Sequence, residues 1–203
     1  MANASTARGL VPYRLFDGSP WNGAANVYYV PAAYATALYI GDPVTTIAGS
    51  YDANGVPAVT LAAATTGLVL GSMVGIVNYG SPMITVTQNL PIYRQASVAT
   101  YILVADDPRL MFWAQDDGTG SGWANWSSKN TNLVSGSGSA VTGYSGWTIS
   151  GSSIATTSTL LMRVLRLFDT PDAVSNAQPP SANAKWLVKI NKHALADSSA
   201  GTA

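Results

Sequence analysis

The chain has 203 residues, no cysteine, and ten basic residues balancing ten acidic ones, for a formal net charge of zero at pH 7. That excludes a disulfide framework and thiolate chemistry, and it leaves no net basic field to hold nucleic acid. Charged residues make up only 10% of the chain, against roughly a quarter in an average soluble protein, so the surface is covered either by Ser, Thr and Asn or by other chains.

All ten acids are Asp, Glu is absent, and Lys occurs only four times, which removes the residues that populate exposed helical faces. The length suits one β-rich domain or two smaller ones. Residues 1–22 mix Pro, Gly and polar residues with isolated anchors at Leu10, Tyr13, Arg14, Phe16 and Trp21. Two readings stand for this segment: an extended N-terminal arm docking on another surface, or a terminus tied to its own domain. It lacks the charged and apolar regions of a signal peptide, so synthesis in the cytoplasm is expected. No apolar window is long enough to cross a bilayer as a helix.

From residue 23 to 196 a β-rich domain is expected, with 197–203 as a tail. Strands are predicted at 26–30, at 37–40 before Gly41-Asp42-Pro43, and at 56–61 after the tight-turn signal Asn54-Gly55. Further strands are predicted at 68–77, at 97–105 with apolar residues on both faces, and at 110–114, paired with the preceding one through "ADDP". Residues 157–168 carry Arg163 and Arg166 on an apolar strand. Residues 185–191 alternate, with Trp186, Val188 and Ile190 on one face and Lys185, Lys189 and Asn191 on the other. Residues 117–156 are rich in Gly, Ser, Thr and Asn with embedded aromatics, and read as long loops and short hairpins. The stretch "IYRQAS" at 92–97 could divide the domain in two. The fold class is all-β: a sandwich of β-barrel or jelly-roll-like form.

Chemistry-bearing clusters are few. No phosphate-binding, dinucleotide or zinc-protease motif occurs, and no cofactor or metal is implied. His193 is the one histidine; after the last strand it suits a surface or capping role better than catalysis. Asp106-Asp107 and Asp116-Asp117 could serve a glycosidase, an irregular calcium loop, or turns. Asp-Pro and Asp-Gly contexts favour turns, because an Asp side chain accepts a hydrogen bond from a backbone N–H two residues on. Trp123, Trp126 and Trp147 could stack sugars, as in a carbohydrate-binding module, or anchor a protein interface.

The stretches "RGLVPYR", "NVYYVPAAYATALYIGDPV", "YILVADDP", "TGYSGW", "TTSTLLMRVLRL" and "NAKWLVKINKHAL" together resemble the head decoration, or cement, proteins of tailed bacteriophages across nearly the whole chain. The resemblance implies a non-enzymatic virion protein on the capsid exterior. Its partners would be the major capsid protein and its own copies, as a dimer or trimer bridging neighbouring capsomers, without contact to nucleic acid or membrane. Leu10, Tyr13, Arg14, Phe16 and Trp21 are then the expected arm anchors, with Trp123 and Trp126 as a second contact patch.

Overall fold

The computed structural model describes residues 3–80, 83–85, 90–119, 126–168 and 182–196, and among these every regular element is a strand. In chain order they are β1 (Val11–Leu15), β2 (Asn26–Val30), β3 (Pro43–Tyr51), β4 (Pro57–Leu61), β5 (Gly71–Gly80), β6 (Met83–Thr85) and β7 (Thr100–Ala105). There follow β8 (Leu110–Gln115), β9 (Asn130–Thr131), β10 (Leu133–Val134), β11 (Thr148–Ile149), β12 (Met162–Leu167) and β13 (Lys185–Ile190).

One sheet runs β3-β4-β2-β7-β5-β6, and β3 also pairs with β5. That extra pairing closes five strands into a ring, which removes the exposed edges an open sheet would leave. β6 stands outside the ring as the hairpin partner of β5. Val30, Val44, Val59, Met73, Ile102 and Val104, all shielded from solvent, pack together on these strands. Ile102 and Val104 on β7 stand two apart, the alternation that puts every second residue inside.

The second sheet runs β1-β8-β13-β12-β9, antiparallel throughout. Its inner face carries Leu110, Phe112, Ala114, Met162, Val164, Trp186, Val188 and Ile190. Ala105 at the end of β7, Ala62 just past β4 and Val69 just before β5 join the same buried cluster. The two sheets therefore share a core, as the layers of a sandwich do.

Four expectations are corrected. β7 and β8 do not form a hairpin: β7 pairs with β2 and β5, while β8 pairs with β1 and β13. "ADDP" is the corner where the chain leaves one sheet for the other. Residues 37–40 make only single bridges, Leu38 to Arg94 and Ile40 to Tyr144. Residues 157–161 are turn, and the strand starts at Met162. Lastly, the described part of the expected arm is built into the domain. β1 is an edge strand on β8, and Gln115 clasps the backbone before it, donating from Nε2 to Ala4 O (2.8 Å) and accepting Thr6 N–H (2.9 Å). Gly9 and Gly41 meet so closely that a Cβ on Gly9 would lie 2.1 Å from Gly41 O; both have positive φ, so glycine is required there.

Residues 92–97 do not connect one sheet to the other. They form a loop that seats Arg94 with no solvent exposure, its guanidinium donating to the carbonyls of Pro31, Tyr34, Thr36 and Val98.

Candidate docking face

Register places the charges of the second sheet. Arg14 is opposite Met111, Met111 opposite Lys189, and Lys189 opposite Arg163, so these four side chains form one row across the sheet. The next row is Val11, Trp113, Leu187 and Arg166. Side chains opposite one another in a ladder share a face, and these rows alternate with the Phe112 and Ala114 rows that enter the core. Lys185, opposite Gln115, continues the outer face.

The outer face thus holds Arg14, Arg163, Arg166, Lys185 and Lys189, five of the ten cations in the chain. The five strands of the sheet contain no acid at all. At its centre Met111, Leu187 and Phe168 are buried, with Trp113 and Leu165 packed against them. Phe168 stacks on Trp113 (6.0 Å between centroids) and meets Tyr13 edge to face (4.9 Å). Three of the five cations lie over aromatic rings: Lys185 Nζ over Trp113 at 5.2 Å, Lys189 Nζ over Phe16 at 5.5 Å, and the Arg14 guanidinium over Tyr13 at 5.4 Å. Cation–π contact sets these three charges against an aromatic base. Phe16 is 62% exposed and Tyr13 38%. The Arg14 Nε is buried without a hydrogen-bond partner. Such a surface has the aromatic and Arg content of an interface centre and suits an electronegative, partly apolar counterpart.

Of the residues singled out in the sequence, Tyr13, Arg14 and Phe16 come together here. Leu10 does not: it is 1% exposed, in the shared core, with its carbonyl accepting from Ser72 Oγ at 2.6 Å. Trp21 is half-buried against that core, its Nε1 donating to Ala24 O. Trp126 is also core, 1% exposed and stacked on Trp186, and Trp147 is buried beside them. Trp123 lies outside the described residues. The second contact patch therefore loses Trp126, and a saccharide platform built on loop tryptophans loses it too. Trp113, Phe168 and the four cations beyond Arg14 were not singled out as site residues. The signal available was that β1, β12 and β13, taken separately, each put Lys or Arg on the face away from their core residues.

The Asp pairs are structural. Asp106, 6% exposed, accepts from Asn26 Nδ2 and, at 2.6 Å, from the Tyr28 hydroxyl, tying the corner to β2. Burial and the Asp106 carboxylate raise the Tyr28 pKa, so its proton stays in that bond. Asp107 accepts Arg109 N–H in the expected turn. Asp116, fully buried, accepts from the backbone N–H of Gly118, Asn183 and Ala184 and from Trp186 Nε1. Desolvation raises its pKa against those bonds. Asp117 accepts from Thr119 and from Gly151 N–H. The turn reading holds for Asp107, Asp116 and Asp117, and Asp106, Asp116 and Asp117 each clamp a distant segment. Among the described residues, no cluster of three or more Asp and His side chains could hold a metal ion.

Compared with protein-family models, curated proteins and solved structures, the chain has no match.

Proposed function

We propose that the protein is a capsid decoration protein, which lays the outer face of its second sheet on an assembled phage shell and bridges neighbouring capsomers. The partner comes from the resemblance of the sequence to head decoration proteins, and with it come the jelly-roll-like description and self-association as dimer or trimer. The observation that carries the docking mode is the row Arg14–Met111–Lys189–Arg163, cations set in an aromatic surface on a sheet that has no acid. The protein acts without chemistry. Each copy touches more than one capsid subunit, so modest contacts combine through effective concentration. Because it binds the assembled shell and not its free subunits, it stabilises the shell by mass action.

The test is to add purified protein to undecorated capsids, with duplex DNA as a parallel arm. The expected result is saturable binding to capsids, weakened by salt, with a raised shell-melting temperature and weaker binding for Lys189→Ala. Absence of capsid binding, or binding to DNA alone, overturns the reading.

A further inference from the structure

At the Lys189 end of the docking face a pocket of about 370 Å³ opens between the β7–β8 corner and the end of β13, lined among others by Asp107, Arg109, Lys189, Asn191, His193 and Leu195. His193 is 3% exposed. Its Nδ1 accepts the Leu195 N–H at 3.0 Å, so the proton of the neutral ring sits on Nε2. That Nε2–H is buried and has no partner. Burial holds the ring neutral by lowering its pKa to about 4.

Lys189, Arg109 and His193 all line this pocket, and Nε2–H is the unpartnered donor of the imidazole. Asn191 is committed elsewhere, donating to the carbonyls of Ser158 and Leu160. Arg109 is held 3.6 Å from Asp107 by one nitrogen and keeps its remaining donors. The lining carries two cations, one carboxylate and a neutral imidazole, a balance of one positive charge. A monoanion matches that balance; a dianion would face Asp107 and the Asp106 behind it.

We propose that this pocket takes a single carboxylate, supplied by an acidic side chain of the partner on the docking face. The partner half of the proposal rests on the docking reading above. A planar carboxylate offers four lone-pair directions to Lys189, Arg109 and His193, and it supplies the acceptor that the buried Nε2–H lacks.

The experiment uses the full chain labelled with 15N-histidine and titrated with sodium acetate, with sodium chloride at equal ionic strength as control. The His193 Nε2 signal is expected to move saturably with acetate, at a dissociation constant on the order of 10 mM, and not with chloride. Arg109→Ala, off the strands of the docking face, is expected to weaken acetate about threefold, and Lys189→Ala to do the same without unfolding the protein. No saturable movement of the His193 signal overturns the pocket, whatever the capsid result. Phosphate binding more tightly than acetate overturns the carboxylate assignment. Acetate binding alongside failed capsid binding overturns the partner half and leaves the pocket standing.

Discussion

Lys189 and Arg163 face each other directly across the β12–β13 ladder, two cations in register on strands that carry no acid. Like charges set directly opposite destabilise a sheet by a few tenths of a kcal/mol up to about 1 kcal/mol. An acid at either position would replace that repulsion with attraction. Arg163→Glu is therefore expected to raise the urea midpoint of the isolated protein, by about 0.5 kcal/mol in stability, and to weaken capsid binding several-fold. Chemical denaturation and capsid sedimentation check the two halves. A variant that loses stability along with binding removes the basis of the docking face.

Trp126 lies flat against Trp186, ring centroids 4.9 Å apart and planes inclined by 21°. Both are nearly sealed from solvent, and the Trp186 indole N–H is held by Asp116. Trp126→Ala is expected to cost about 3–5 kcal/mol through lost burial and a cavity, with Trp126→Phe milder. Near-ultraviolet circular dichroism and denaturant midpoints check this. A Trp126→Ala protein as stable as the parent would place the indole at the surface.

The strands were legible where alternation was strong or turn residues closed an apolar run. β13 falls where its alternation puts it, and β2, β7 and β8 fall on short apolar runs bounded by turn residues. β7 was expected to be apolar on both faces, yet Tyr101 and Leu103 stay half-exposed on one of them. β3 was not legible, since "PVTTIAGSY" carries Pro, Gly and polar residues whose strand state comes from pairing with β4 and β5. Turn chemistry at Asp107 and Asp117 was local and readable. The clamp made by Asp116 on Ala184 was not, because it joins residues 68 positions apart. The docking face was invisible for the same reason: β1, β8, β12 and β13 each contribute one or two cations or rings, and only the register collects them. Trp126 misled because a Gly/Ser-rich neighbourhood reads as solvent-facing, while its own indole packs on Trp186 in the core.

Arg94 is a buried cation held entirely by carbonyl oxygens, those of Pro31, Tyr34, Thr36 and Val98. It closes the 31–38 segment onto the 92–98 loop, and the backbone pair Leu38–Arg94 exchanges both hydrogen bonds. Arg94→Met leaves four acceptors short of a donor, at an expected cost of about 3 kcal/mol. Lysine, with its point charge and different reach, should recover only part. Faster hydrogen exchange at the Leu38 amide, measured by mass spectrometry, is the local signature; unchanged exchange there would show that the segment is held by other contacts.

Two buried groups oppose each other in how stability depends on pH. Burial raises the Asp42 pKa to about 6 from the ordinary 3.8, so between those values the folded state binds more protons than the unfolded one. Stability contributed at Asp42 therefore falls as pH rises through that window. His193 is shifted the other way, from 6.5 down to about 4. There the unfolded state binds more protons, and stability is complete above the ordinary histidine range and lost as pH falls toward 4. Each shift corresponds to about 3 kcal/mol, so the two slopes largely offset, with Asp116, also raised by burial, adding to the falling side. Asp42→Asn keeps an acceptor for the Tyr39 N–H and removes the falling slope. That variant is expected to gain stability steeply from about pH 4 to 7 where the parent is nearly level, and His193→Asn to lose stability over the same range. Urea midpoints at half-unit steps of pH decide it: an Asp42→Asn profile parallel to the parent's would mean the Asp42 carboxyl titrates in the folded protein as it does in the unfolded chain.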